Sequence, residues 1–199
     1  MIQSLSLGIL FSISSWAMKP DLRPGDVLLI SLQCPICQTI EAEEKGPYSH
    51  AGVVSIEADQ KIKIMEAITD PITEVTLGKF LSRRREGTSV LVLRAKNTHI
   101  SESSLLKRFN EKFLNHHYDA EFLWDDRDSL GEKYYCSELV AKLLLPYLPE
   151  PIPTKPMHYQ TDRKAWIEFF NGANPPDGKP GISPADLARS PLFEVIGQL

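Results

Sequence analysis

Positive charge is not in excess in this sequence: 22 Lys and Arg stand against 26 Asp and Glu, a formal net charge of −4. General nucleic-acid binding needs the opposite balance, because its affinity rests on neutralising phosphates, so that class is excluded. Cysteine is scarce, at three in 199 residues, and the odd count leaves at least one thiol unpaired. A chain of this length buries enough surface to fold without a disulfide framework. There is a single CxxC pair, Cys34-Pro35-Ile36-Cys37, whereas a zinc site wants four ligands, so no metal or other cofactor is expected. The pair stays open as a redox dithiol, a metal half-site, a structural disulfide or two free thiols. A thioredoxin-like site would need a βαβ setting that the pattern lacks. No apolar run reaches the about 20 residues that cross a bilayer. Repeats and low-complexity linkers are missing too. What is there has globular composition, 42% hydrophobic and 24% charged, at a length that suits one domain.

The N-terminus is the first positive feature. Residues 5–16 are apolar or small, and no charge precedes Lys19. That length suits the h-region of a secretory signal, and Ser15-Trp16-Ala17 puts small residues at the −3 and −1 positions of a cleavage site. The n-region departs from the pattern in having no Lys or Arg, and a buried N-terminal helix is the alternative. We expect residues 1–17 to be a signal peptide, 18–199 the working domain, and the location periplasmic or secreted. No lipobox cysteine follows the h-region, so a lipid anchor is not expected.

Along the rest of the chain, the Pro24-Gly25 turn leads into an apolar strand over 26–31. Residues 36–44 have helical spacing and end at Gly46-Pro47. Two strands follow over 51–56 and 61–67, where Ile62 and Ile64 alternate with Lys61 and Lys63. A short helix is expected over 77–84, a strand over 89–94, and a helix over 101–115 with Ser101 as N-cap. A further helix spans 136–148, and a run of four prolines then forbids regular structure. Thr161 or Asp162 caps a helix to 170, and Ser183-Pro184 opens a last one to 189. The order implies an α+β domain with a mostly antiparallel sheet packed against helices.

Three residues could carry chemistry. Cys136 opens an apolar-faced helix, where free N–H groups and the dipole stabilise a thiolate and can receive an oxyanion. A buried structural cysteine is the plain alternative. His50 stands at the mouth of a strand after the Gly46-Pro47 turn, a position more often structural than catalytic. Glu66 is a lone carboxylate at an apolar strand end and needs a partner. A hairpin would bring His50 and Glu66 together, and thiol, imidazole and carboxylate make an activated nucleophile. Tyr48, Tyr135 and Trp124, close in sequence to these residues, stand as substrate-binding candidates. His116-His117 is expected to flank a helix end, His158 to sit in a proline-rich loop with no ligand spacing, and Arg83-Arg84-Arg85 to be a solvated helix end, with an anionic substrate contact as the alternative. Asp125 to Asp128 reads as a solvated loop, with Trp124 able to rim the site.

These motifs together resemble a known family. Pro24-Gly25-Asp26, Tyr48-Ser49-His50-Ala51-Gly52, Glu66-Ala67 and Tyr135-Cys136-Ser137-Glu138-Leu139 are similar to those of the YiiX/YebB-like permuted papain-fold cysteine hydrolases of the NlpC-type superfamily. Cys34-Pro35-Ile36-Cys37, Tyr118-Asp119 and Gly178-Lys179-Pro180-Gly181-Ile182-Ser183-Pro184 extend the resemblance over most of 22–190. It implies a circularly permuted papain-like fold with the chain order His, acid, Cys. It also implies Cys136 as nucleophile, His50 as base and Glu66 as the orienting residue, cleaving an amide or ester through a thioester. A cell-wall peptide amide is the first substrate expected. Acyl-lipid hydrolysis or transfer, and a non-catalytic binding module, are the rivals.

Overall fold

Side chains alternate along β1 (Val27–Ile30), so Val27 and Leu29 face one way and Leu28 and Ile30 the other. All four are fully buried, which makes β1 a central strand with both faces covered. The structure, a computed structural model, describes residues 20–129 and 131–199, and the expected signal peptide lies outside the described residues. β1 pairs antiparallel with β2 (His50–Ile56) and β5 (Leu91–Ala95). Beyond β2 come β3 (Ile62–Glu66) and the edge strand β4 (Thr73–Thr76); β10 (Phe193–Gln198) closes the other edge against β5. All five pairings in this six-stranded sheet are antiparallel.

Each face has its own apolar layer. Val27, Leu29, Val53, Met65 and Leu93 pack with α3 (Glu102–Lys112), α4 (Cys136–Leu144) and α6 (Pro184–Arg189). Leu28, Ile30, Val54, Ile64 and Val92 pack under Phe80 of α2 (Leu77–Leu81). Each fully buried Leu, Ile, Val or Phe here contributes about 1.5–3 kcal/mol. A third, aromatic cluster of Met157, Tyr159 and Trp166 stands beside the sheet, built on α5 (Arg163–Phe169) and touched by Ile36 and Ile40, the latter on α1 (Cys37–Glu43). Two two-stranded ribbons complete the fold: β6 (Arg127–Asp128) with β7 (Gly131–Glu132), and β8 (Lys155–Pro156) with β9 (Pro180–Gly181).

The expected helix caps form: Ser101, Asp162 and Ser183 each accept a backbone N–H with their side chains, and Ser183 with Asp186 makes a reciprocal capping box. The helix expected to run to 148 stops at Leu144, and a 3₁₀ turn follows over Leu145–Tyr147 because Pro146 has no N–H to continue the ladder. The two edge strands β4 and β10, and the ribbons, are not among the expected elements. Cys34 and Cys37 form a disulfide at the start of α1, and Cys136 is free.

Candidate active site

Helix α4 begins at Cys136 itself. Tyr135 precedes it in extended conformation, so the first-turn N–H groups of the helix are left open. Cys136 is half-buried as a residue, and the His50 ring and the backbone N–H groups of Ala51 and Ser137 act on its thiol. Ala51 supplies its N–H because α4 packs against the start of β2.

His50, first residue of β2, and Glu66, last residue of β3, are both buried. The pairing Val53↔Met65, continued by one residue, sets Glu66 opposite Gly52 and diagonal to His50 on one face. Gly52 has to be glycine: a Cβ there would lie 2.4 Å from Ile64 Cγ2 and 3.0 Å from Phe80 Cε2. His50 Nε2 meets Glu66 Oε2 at 2.8 Å, which leaves Nδ1 for the sulfur. Phe80 backs the imidazole, its ring centroid 5.5 Å away.

Behind Glu66 stands a residue that the sequence did not single out. Arg83 donates Nη1–H to Glu66 Oε2 at 2.8 Å and Nη2–H to Oε1, a two-point contact. The basic triplet is therefore not a solvated helix end. Arg85 donates to the buried Glu41 at 2.8 Å, and Arg84 to the Leu199 carbonyl oxygen at 3.2 Å. Three successive cations have three separate acceptors.

The charges along this chain reinforce one another. Burial works to lower the pKa of His50, but the hydrogen bonds and opposite charges of Cys136 and Glu66 outweigh it and push it up to about 9. Burial pushes the Cys136 thiol up; His50 and the two N–H groups overcome this and hold it below its ordinary value. Burial also acts to raise Glu66, while His50 and Arg83 keep its carboxyl below the usual range. The arrangement favours an imidazolium–thiolate pair between a carboxylate and a helix N-terminus.

Cys136 opens into a cleft between the main core and the aromatic cluster. Its walls are mostly apolar, with Ile40, Phe122, Tyr135, Met157, Tyr159, Trp166 and Ile182 among the lining residues. Polar groups are few: Ser49, Ser137, Ser183, Glu44 and the exposed His158. Glu44 is already paired with Lys155. His158, in a proline-rich loop and without ligand spacing in the sequence, stands in the same cleft as Cys136.

Of the substrate-binding candidates, Tyr135 lines the cleft; its hydroxyl accepts from Ile182 N–H at 3.0 Å. Tyr48 and Trp124 are not among the lining residues and pack against the main core instead. Trp124 is held by Lys142, whose ammonium lies 5.2 Å from its ring centroid, and Asp125 by Lys142 Nζ at 2.6 Å. The 125–128 loop is thus tied to α4 rather than merely solvated. His116 and His117 contact Glu132 O at 2.9 Å and Asp128 Oδ2 at 2.7 Å, fixing the β6–β7 ribbon instead of a helix end. Among the described residues, the one grouping of metal-ligand type is Asp119, Glu121 and Asp126. The Lys133 ammonium sits among them, 2.6 Å from Asp126 and 2.7 Å from Glu121.

A family model for a permuted papain-like amidase enzyme, of the YaeF/YiiX, C92 family, matches residues 21–197. Among solved structures, the crystal structure of the metalloprotein yiiX from Escherichia coli O157:H7 superposes with a TM-score of 0.74. It is 20% identical, and the match covers 89% of this chain and 97% of that one. The α+β, permuted papain-like architecture is thereby shown. No curated protein sequence matches the chain.

Proposed function

Because the chain belongs to the permuted papain-like amidase family, we propose that it is an exported thiol hydrolase that cleaves an amide bond through a thioester on Cys136. The observation that carries this reading is the continuous contact from Glu66 through His50 to a sulfur at the head of α4. In the proposed cycle the thiolate attacks the carbonyl carbon, and the Cys136 N–H at the helix start receives the developing oxyanion. The imidazolium gives its proton to the leaving nitrogen, the C–N bond breaks, and the amine departs. His50, now neutral, takes a proton from water as the oxygen attacks the thioester. The acid is released and the thiolate–imidazolium pair is restored. Glu66 keeps the ring facing the sulfur and balances its charge through both halves.

Export is supported by the residue 1–17 pattern and by the Cys34–Cys37 disulfide, which suits an oxidising compartment. An N-terminus near Met18 on the protein recovered from cells, outside the cytoplasm, is expected; intact Met1 in the cytoplasmic fraction would contradict export.

A second reading has its own observation. The apolar walls of the cleft suit an acyl chain, which favours acyl-lipid hydrolysis or transfer on the same thiol. One experiment separates the readings: incubation with peptide amides, N-acyl amides and acyl lipids, then mass measurement of the adduct on Cys136. A peptidyl mass supports the cell-wall peptide expectation and a fatty-acyl mass the second reading. Absence of any adduct and of turnover would leave a binding module.

A further inference from the structure

We propose that Arg83 is a positioning residue of this site, clamping the Glu66 carboxylate so that His50 is held as the proton carrier for Cys136. The inference rests on the thiol-hydrolase reading and adds a fourth residue to it.

The clamp is well placed for that work. The Arg83 backbone is fixed just past α2, its N–H donating to Phe80 O at 3.3 Å and its carbonyl accepting from Gln33 N–H at 3.0 Å. The guanidinium fork covers both oxygens of Glu66, and Oε2 is shared between Arg83 and His50. A carboxylate held on both sides cannot rotate without breaking one contact. Glu66 is only 1% exposed, and a buried carboxylate that loses one of its two cations is pushed toward the protonated form. Protonated Glu66 would no longer oppose the imidazolium charge, and the thiolate would lose its partner in turn. A lysine could supply the charge but not the planar two-point contact.

The titratable and charged groups facing this chain come from every element around it: Arg83 after α2, Glu66 from β3, His50 from β2 and Cys136 from α4. Tyr118 and Tyr135 lie beside the sulfur and feel its charge. Arg83 is the cation that faces Glu66 besides His50.

The test is the pH profile of Cys136 alkylation by iodoacetamide in the full chain, for wild type, Arg83→Gln, Arg83→Lys, Glu66→Gln and the Arg83→Gln/Glu66→Gln double variant. Arg83→Gln should move the midpoint up by about one pH unit, roughly tenfold in rate on the rising limb. Arg83→Lys should fall between it and wild type. The double variant should shift no further than Glu66→Gln alone, because Arg83 acts through that carboxylate. Thermal unfolding of each variant identifies any that fail to fold, and if Arg83→Gln is one, Arg83→Lys decides. A profile superimposable on wild type in Arg83→Gln, or in Arg83→Lys when it decides, would overturn the proposal. So would shifts that simply add in the double variant. Failure of the hydrolase reading looks different: the profiles keep this order while no amide or ester is turned over.

Discussion

Two buried carboxylates in this molecule are held by arginines from the same triplet, and only one of them faces ionisable chemistry. Glu41 takes Arg85 on one side and the hydroxyls of Ser31 and Ser49 on the other. Glu66 takes Arg83 on one side and the His50 imidazole on the other. Their burial is alike, and so is that of their arginines. The difference lies in the third partner. A serine hydroxyl stays neutral at any working pH, so the Glu41 group can only brace α1 against β1 and the start of β2. An imidazole changes charge near neutrality, so the Glu66 group passes its negative charge on to a thiol. An arginine on a buried carboxylate is a construction element here, and its function is set by what lies beyond it.

The comparison breaks hardest at the thiol and the ring. Cys136→Ala should reduce turnover to background with the fold intact, measured by product release and thermal unfolding. His50→Ala should cost about 10²–10⁴ in turnover, the usual range for a proton-transfer group. Glu66→Gln should cost less than His50→Ala. The ring keeps a hydrogen-bond partner but loses its counter-charge, so steady-state rates fall while alkylation of Cys136 persists. On the other side of the comparison, Glu41→Gln should cost about 1–3 kcal/mol of stability in denaturant titration. It should leave the Cys136 alkylation profile where it is, and a shift as large as that of Glu66→Gln would erase the distinction between the two carboxylates. Least of all, replacing Cys34 and Cys37 with Ser removes the closure of a short loop only, worth at most about 2 kcal/mol. Turnover should stay within severalfold, and a larger loss would give the disulfide a part in the chemistry.

The sheet centre was legible in short-range signals, and the three residues that the family resemblance points to are ones the structure brings together. A short apolar run marks β1, the alternation of Ile62 and Ile64 with Lys61 and Lys63 marks β3, and the β2–β3 hairpin brings His50 and Glu66 together across 16 residues. A cysteine at a helix start is visible from the apolar spacing that follows it. Arg83 was not legible, because nothing in three successive arginines says that each has a separate acceptor. The edge strands escaped for a different reason. Thr73-Glu74-Val75-Thr76 has a single apolar residue in four, and β10 contains Gly197 and a bulge between Val195 and Gly197. The cleft's aromatic wall was hidden too, since Met157 and Tyr159 follow a proline run and meet Trp166 only through tertiary packing. Tyr48 and Trp124 pack against the main core and do not line this cleft, since closeness in sequence to His50 and Cys136 does not by itself put a side chain there.

In the proposed mechanism Cys136 rests as a thiolate paired with the His50 imidazolium, whose pKa is pushed up to about 9. A raised His50 pKa and a lowered Cys136 pKa define a window in which both charges coexist. Below it the sulfur regains its proton; above about 9 the ring loses the proton that the leaving group needs. The most direct measurement is the rate of Cys136 alkylation against pH, alongside turnover, in wild type and His50→Ala. The account predicts wild-type labelling well below the ordinary thiol range of about 8.5, on a plateau that continues past pH 9 while turnover falls there. It also predicts a His50→Ala profile displaced up to that ordinary range. A wild-type midpoint at the ordinary thiol value, unmoved by His50→Ala, would contradict it.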